Sequence, residues 1–323
     1  MIVVTGGAGF IGSCFVAKLN EMGIDDILIV DNLGNGEKWQ NLVGKKYKDY
    51  LHKNVFITSL LNGKMDKVID SIVHIGACSA TTETNADYLM ENNVHYSMTL
   101  ANWAVKNNKK MWYASSAATY GDGELGFSDE DKTTPSYRPL NMYGYSKHLL
   151  DLWVLKNKLD NNLTGFKFFN VFGPNEYHKG KMRSPINIFF PKARAEKTIN
   201  LFKSYRDDYQ DGEQKRDFVY IKDVLNVMAY FFAHPDIGGI YNVGTGKANT
   251  WNDVAKAMFK ALDVEGKIEY INMPDELQGK YQYFTEADLT KLRRAGCDYE
   301  FMSLNDSVAD YIQDYLMQKN PYL

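Results

Sequence analysis

Short apolar runs alternate with longer amphipathic stretches along the first half of the chain. Four of the runs have the composition of buried parallel strands: Ile2–Val4, Ile27–Val30, Ser71–Ala77 and Lys110–Ser116. The segments between them carry apolar residues at helical spacing, most clearly from Tyr88 to Val105. Strands that alternate with helices predict an α/β fold with a doubly wound parallel sheet of the Rossmann type.

A glycine-rich turn joins the first predicted strand to the first predicted helix. Gly6, Gly9 and Gly12 recur at every third residue, and Phe10 and Ile11 begin the helical pattern. Glycine permits a tight bend, lets backbone N–H groups approach a diphosphate, and lets the helix pack close to the strand. The partial positive charge of the helix N-terminus favours the same anion. These residues predict a nicotinamide dinucleotide site. The alternative is an ordinary strand–turn–helix with incidental glycines.

The second predicted strand ends in an acidic residue where a ribose-binding acid is expected. Asp31 lies about twenty residues beyond the turn, and Asn32 follows it. The Asp31 carboxylate suits the 2′-hydroxyl of NAD, whereas Lys38 and Lys53 could neutralise the 2′-phosphate of NADP. The residues alone therefore leave NAD and NADP as alternatives.

Small residues follow the third predicted strand, at the end of a parallel sheet where ligands bind. Gly76 and Ala77 would leave room for a cofactor. In this region the predicted cofactor residues are Ile75, Gly76, Ala77, Cys78, Ser79 and Asn92.

A tyrosine and a lysine four residues apart follow the last of the four strands. Tyr143 and Lys147 would lie on one face of a helix that begins just after Pro139. A tyrosine has an ordinary pKa near ~10, which a lysine ammonium and a positive nicotinamide ring would lower. The phenolate could then take a hydroxyl proton while the attached carbon gives hydride, with Ser116 holding the hydroxyl in line. Such a pair is common on amphipathic helices, and the glycine-rich turn favours the chemical interpretation.

Composition and charge exclude several classes of protein. The chain has 323 residues, 45% of them apolar, and its net charge of −3 offers no electrostatic case for a nucleic-acid partner. Its three cysteines, Cys14, Cys78 and Cys297, share no metal-ligand spacing. The apolar start lacks a basic leader, and no apolar run is long enough to span a bilayer. We therefore expect a cytoplasmic protein without a metal site or a membrane anchor.

The motifs together resemble one family over nearly the whole chain. The matching segments are Thr5–Gly12, Asp31–Leu33, Gly76–Glu83, Ala114–Gly121, Tyr143–Lys147, Phe169–Pro174, His178–Gly180, Lys215–Tyr220 and Tyr281–Gln282. They are similar to the ADP-L-glycero-D-manno-heptose 6-epimerases, which belong to the extended short-chain dehydrogenases/reductases. Sugar dehydratases of this group carry an Asp-Glu pair where Ala117 and Ala118 stand here, and this difference disfavours elimination.

The resemblance implies an activity and a second acid/base. It implies epimerisation at C6″ of an ADP-heptose by transient oxidation and hydride return, which supplies heptose for the lipopolysaccharide core. Lys179 would serve the face opposite Tyr143, although spacing alone favours a solvated loop lysine. The resemblance also implies that Val171 and Lys179 contact the cofactor, that the cofactor is NADP, and that the protein is a homo-oligomer such as a pentamer.

The second half of the chain has longer loops, and we assign most of it to substrate binding. The predicted dinucleotide domain is 1–170 with 217–246 returning to it. The predicted smaller, mixed α/β substrate domain is 171–216 and 247–323. Arg216 could pair two phosphate oxygens of a diphosphate through its planar guanidinium. The predicted substrate residues are Ser116, Asn170, Lys181, Phe202, Arg216 and Tyr281.

Two other functions remain as alternatives. One is a different nucleotide-sugar epimerase, acting at C4″ of a UDP-hexose. The other is a non-catalytic dinucleotide-sensing protein, although such proteins usually lose the Tyr–Lys pair that this chain retains at Tyr143 and Lys147.

Overall fold

The computed structural model describes residues 1–274 and 282–323. Its strands, in chain order, are β1 (Ile2–Thr5), β2 (Ile27–Asp31), β3 (Asp49–His52), β4 (Ser71–His74), β5 (Lys110–Ser116), β6 (Leu163–Phe168), β7 (Asn170–Phe172), β8 (Thr198–Phe202), β9 (Lys215–Arg216), β10 (Phe218–Tyr220), β11 (Gly239–Val243), β12 (Asn249–Thr250) and β13 (Lys267–Ile271).

Helices connect most of these strands. The α-helices are α1 (Phe10–Glu21), α2 (Lys53–Leu61), α3 (Ala86–Leu89), α4 (Tyr96–Lys106), α5 (Met142–Lys156), α6 (Pro185–Glu196), α7 (Ile221–Ala233), α8 (Trp251–Ala261), α9 (Thr290–Arg294) and α10 (Leu304–Tyr311). A π-helical segment, Met90–His95, joins α3 to α4, so the helix predicted from Tyr88 to Val105 is one helical run with a wider turn inside it. No helix in the described part of the chain is both long and apolar enough to cross a membrane.

Seven of the described strands form one parallel sheet, in the order β11-β6-β5-β4-β1-β2-β3. The strand order reverses between β1 and β4, and parallel sheets bind ligands at such a switch point. Alternate residues of β1 face opposite cores, since Val4 packs with α1 whereas Val3 packs with residues of α2 and α4. The predicted Rossmann-type sheet is confirmed.

The second half of the chain adds small strand pairs around this sheet. β7 pairs in parallel with β10, β8 in parallel with β13, and β9 antiparallel with β12. β11 returns to the main sheet beside β6. Of residues 217–246, β11 joins the main sheet and β10 pairs with β7, and the proposed domain boundaries stay a prediction.

Candidate active site

The glycine-rich turn brings the start of α1 against the ends of β1 and β4. Gly6 has a φ of +66°, and its N–H donates to the Val30 carbonyl at 2.7 Å. A Cβ at Gly12 would lie 2.1 Å from the Gly6 oxygen, and one at Gly76 would lie 2.8 Å from the Gly6 nitrogen. Only glycine fits this contact. No described side chain caps α1 at Gly9, so the first N–H groups of the helix are available to an anion.

A cleft of about 480 Å³ opens over this turn. The predicted site residues in its wall are Gly6, Gly9, Phe10, Ile11, Gly12, Asp31, Lys38, Ile75, Gly76, Ala77, Ser79, Ser116, Tyr143, Lys147, Asn170, Val171 and Lys179. The cleft therefore joins the glycine turn, the Tyr–Lys pair and the Lys179 loop. Within the described ranges, no cluster of His, Cys, Asp or Glu could hold a metal ion.

A smaller cavity of about 170 Å³ lies at the ribose end, lined by Asp31, Asn32, Lys38, Lys53 and Asn92 together with aromatic rings. The Asp31 carboxylate accepts hydrogen bonds from the N–H groups of Ala8, at 2.9 Å, and Asn32, at 2.6 Å. Lys38 Nζ donates to Asp31 Oδ1 at 2.5 Å. Lys53 Nζ donates to Asn92 Oδ1 at 2.5 Å. Asp31, which indicates NAD, and Lys38, which indicates NADP, thus form an ion pair with each other.

The π-helical segment anchors the loop after β4. Asn93 is completely buried, and its Oδ1 accepts the Cys78 N–H at 2.8 Å. Its Nδ2 donates to the Cys78 carbonyl at 3.0 Å and to Ser146 Oγ at 3.1 Å. Because Ser146 lies on α5 beside Lys147, this one amide fixes the loop relative to the Tyr–Lys helix. Cys78 itself does not line the large cleft and contributes to its shape through the backbone.

Tyr143 and Lys147 lie one turn apart on α5 and face the end of β5. Ser116 forms a hydrogen bond with the Tyr143 side chain, and Lys147 Nζ donates to the Ala114 carbonyl at 2.9 Å. Burial lowers the pKa of Lys147 to about 8. Burial also raises the pKa of Tyr143, and the hydrogen bond to Ser116 only opposes that rise. In the protein without a cofactor Tyr143 is thus a neutral phenol, and the lowered pKa expected with a positive nicotinamide ring beside it stays a prediction.

Lys179 reaches the same cleft from the 3₁₀-helical loop Tyr177–Met182. Its ammonium lies 5.3 Å from the centre of the Phe10 ring, and burial lowers its pKa. The base of this loop is fixed by the buried Glu176 carboxylate, which accepts from Ser184 Oγ at 2.6 Å and from the Tyr311 hydroxyl at 3.0 Å. A lysine held in this way differs from a solvated loop lysine.

The comparison with protein families agrees with this geometry. Residues 2–244 match the model of the NAD dependent epimerase/dehydratase family. The chain belongs to this family. Its cofactor is accordingly a nicotinamide dinucleotide, which fits the glycine contact and the uncapped helix N-terminus described above.

Relatives within the family are similar over their full length. A protein of Nitratidesulfovibrio vulgaris (strain DP4) named ADP-L-glycero-D-manno-heptose-6-epimerase is 53% identical over 323 residues, covering 100% of both chains. A protein of Fusobacterium nucleatum with the same name is 47% identical over 332 residues, again covering 100% of both. These relatives confirm the resemblance seen in the sequence.

Solved structures of the family share the fold. The Helicobacter pylori ADP-L-glycero-D-manno-heptose-6-epimerase superposes with a TM-score of 0.79 at 28% identity, covering 97% of this chain and 95% of that one. The dTDP-glucose 4,6-dehydratase of Bacillus anthracis, solved in complex with NAD, has a TM-score of 0.78 at 21% identity and covers 99% and 98%. The second likeness concerns the fold alone.

Three of the predicted substrate residues do not line the large cleft, and a fourth lies outside the described residues. Lys181 is exposed, and neither it nor Phe202 or Arg216 lines the large cleft. The Arg216 guanidinium donates to the Gln282 carbonyl and, at 2.8 Å, to the Lys215 carbonyl. Tyr281 lies outside the described residues. A role of these four in substrate binding stays a prediction.

The structure also brings in residues that were not predicted from the sequence. The large cleft is also lined by Thr81, Ala114, Ser115, Phe168, Phe169, His178, Gln282 and Thr285. Tyr88 and Tyr96 line the cavity at the ribose end. Their helical spacing of eight residues was a usable signal, because it places both rings on one helix face. His178 belongs to the segment His178–Gly180 that resembles the family, but nothing in the sequence indicated that its side chain lines the cleft.

Proposed function

We propose that this chain converts ADP-D-glycero-D-manno-heptose to ADP-L-glycero-D-manno-heptose by epimerisation at C6″, and so supplies heptose for the lipopolysaccharide core. The observation that carries the proposal is that two side chains able to transfer protons, Tyr143 and Lys179, line one cleft with the dinucleotide turn. Full-length relatives named for this activity support the substrate. Ala117 and Ala118 line the cleft where an eliminating enzyme would need acids.

The reaction inverts a carbinol carbon that has no acidifying neighbour. A bound nicotinamide would supply the hydride acceptor and donor of the reaction, and its positive charge would favour the Tyr143 phenolate. Ser116 orients the substrate hydroxyl toward Tyr143, which takes its proton. Lys147 keeps a positive charge beside Tyr143, and its hydrogen bond to the Ala114 carbonyl fixes it against β5.

Return of hydride to the opposite face needs a proton donor on each side of the transient carbonyl, or a flip of the ketone between the two steps. We propose the first arrangement. Lys179 supplies the proton on the face opposite Tyr143, because burial lowers its pKa toward the range of a useful acid/base. The Glu176 carboxylate fixes the base of the loop that carries Lys179, so Lys179 lies at the cleft even when no substrate is bound.

Proton transfer is tested by two substitutions with matched controls. Tyr143→Phe and Lys179→Ala should each lower kcat by about a hundredfold or more, the usual range for losing a general acid/base. Tyr145→Phe, two residues further along α5 and 45% exposed, and Lys256→Ala, exposed on α8, should retain activity. Near-normal turnover of both cleft variants would contradict the two-base scheme. Turnover of a UDP-hexose in place of the ADP-heptose would replace the substrate assignment.

The cofactor of the proposed reaction is NADP. The Asp31 carboxylate already accepts three hydrogen bonds within the protein, one of them from Lys38. Two lysines, Lys38 and Lys53, line the same cavity, so positive charge exceeds negative charge where a 2′-phosphate would lie. Mass analysis of the nucleotide released on denaturation should identify NADP. If Lys38→Met and Lys53→Met weaken binding of NADP⁺ and NAD⁺ equally, the lysines do not recognise the phosphate.

The protein is also proposed to act in the cytoplasm as a homo-oligomer, such as a pentamer. Its cysteines, Cys14, Cys78 and Cys297, are all free, as is usual in a reducing compartment. Light scattering of the purified protein measures the number of subunits, and a monomer would contradict the proposal.

A further inference from the structure

A buried ion pair lies directly beneath the Tyr–Lys pair. Asp151 lies on α5 one turn beyond Lys147, and its side chain is completely buried. Its carboxylate accepts from Lys167 Nζ at 2.6 Å, from Ser115 Oγ at 2.7 Å and from the Tyr113 hydroxyl at 3.0 Å. Lys167, on β6, is completely buried as well.

Such a pair is a costly way to fill a core. Removing both charges from water costs several kcal/mol per ion, and apolar residues of similar volume often stabilise a protein as well or better. Here the pair is well satisfied, because Lys167 Nζ also donates to Thr119 Oγ1 at 2.8 Å and lies 5.1 Å from the centre of the Tyr120 ring. The network connects α5 with β5 and β6, and its position beneath Lys147 indicates a role in the site.

The charged and titratable groups around Lys147 come from three elements. His74 lies on β4, Cys78 follows β4, and Tyr143 and Asp151 lie on α5. Burial lowers the pKa of His74 to about 3, so this imidazole is neutral at physiological pH. Burial lowers the pKa of Lys147 and the Asp151 carboxylate opposes that effect. Asp151 is therefore the carboxylate that favours the charged form of Lys147.

We propose that Asp151 is a positioning residue for the reaction: its buried carboxylate, held by Lys167, Ser115 and Tyr113, keeps the Lys147 ammonium charged beside Tyr143. Lys167 balances the charge of Asp151 within the core. The Asp151 carboxylate also attracts the Lys147 ammonium, which lies one turn earlier on α5. This inference rests on the proposed role of Lys147 beside Tyr143.

The test follows the protonation of Lys147 directly, without substrate. Asp151→Asn combined with Lys167→Met removes both charges, so that neither is left buried without a partner. NMR titration of ¹³C,¹⁵N-lysine-labelled protein, with the Lys147 signal assigned by its loss in Lys147→Met, measures the pKa of Lys147. Loss of a neighbouring opposite charge lowers the pKa of a lysine, so the pKa of Lys147 should fall by about one unit or more in the double variant.

The matched control is Tyr113→Phe, which removes one hydrogen bond to the same carboxylate and no charge. Tyr113→Phe should leave the titration of Lys147 in place, even if the protein unfolds at lower denaturant concentration. The alkaline limb of the kcat profile should move to lower pH in the double variant only. If Asp151→Asn/Lys167→Met does not fold, Asp151→Leu/Lys167→Met, which replaces both charges by apolar side chains, is the second variant in the same titration.

The outcomes separate this inference from the proposed function. An unchanged pKa of Lys147 in the charge-removing variants overturns the role of Asp151, whatever sugar is turned over. An equal shift in Tyr113→Phe overturns it too, because the effect would then come from packing. A shift of the Lys147 titration in a protein that epimerises no ADP-heptose would support the inference and contradict only the proposed substrate.

Discussion

Gly12→Ala tests the contact on which the cofactor site depends. Gly12 lies in the first turn of α1, and a Cβ there would lie 2.1 Å from the Gly6 oxygen and 2.8 Å from the Gly6 carbonyl carbon. An ordinary contact of a Cβ begins at 3.4 Å. Both atoms belong to the backbone, so no side chain can rotate to make room. The helix start must move away from the turn by about 1 Å, a displacement that an interior packed to native density resists.

The expected loss of stability is the difference between two terms. Overpacking of this kind costs about 1–3 kcal/mol. Alanine in place of glycine within a helix returns about 1 kcal/mol. The free energy of unfolding should therefore fall by about 0–2 kcal/mol. Cofactor binding should weaken more clearly, by tenfold or more, which corresponds to about 1.4 kcal/mol, because the displaced N–H groups no longer face the diphosphate.

Urea unfolding measures the first quantity, and titration of the cofactor-free protein with NADP⁺ and NAD⁺ measures the second. Gly36→Ala is the matched control. Its Cβ would meet no atom within 4 Å, and its φ of −94° suits any residue. If Gly12→Ala unfolds and binds dinucleotide as the unmodified chain does, the close approach of α1 to β1 is not what forms the site.

Three further predictions concern residues that support the site. Burial lowers the pKa of His74 to about 3, so the folded protein should lose stability as the pH falls from about 6.5, by about 2 kcal/mol at pH 5. His74→Gln should flatten this slope in urea unfolding, and exposed His234→Gln should not. Asn93→Leu leaves the Cys78 backbone unpaired, and an unfolding free energy lowered by less than about 1 kcal/mol would contradict its anchoring role. Tyr322→Ala removes a ring packed edge-on against Tyr177 at 5.2 Å, and amide exchange should quicken in residues 175–180. Unchanged exchange there would show that the C-terminal residues do not hold the Lys179 loop.

Local patterns predicted β1, β2, β4 and β5 because each of these strands is defined by its own buried apolar residues. They missed β3, an edge strand of exposed and half-buried residues without an apolar run. The run Lys110–Ser116 is a strand over its full length. The run from Ser71 to Ala77 was predicted too long, since β4 ends at His74. Gly76 passes so close to Gly6 that the chain must turn at that point. That approach involves two segments seventy residues apart, and no local pattern reports it.

In the candidate site, too, some features follow from local spacing in the sequence and others depend on distant segments. The spacing of four residues placed Tyr143 and Lys147 on one helix face, because helical geometry depends only on separation along the chain. The raised pKa of Tyr143 was not foreseen, since burial depends on what packs around the helix. The ion pair between Asp31 and Lys38 likewise depends on how the connector folds back.

The sequence by itself determined the alternation of β1, β2, β4 and β5 with helices, the glycine turn and the Tyr–Lys pair, because these depend on neighbours a few residues apart. Only the tertiary structure decided which distant groups share the cleft. It brought Lys179 to the cleft that Tyr143 lines, and it buried Asp151 and Lys167 beneath Lys147. Burial and charge pairing arise from packing between elements far apart in the chain, so they cannot be predicted from the spacing of residues along the sequence.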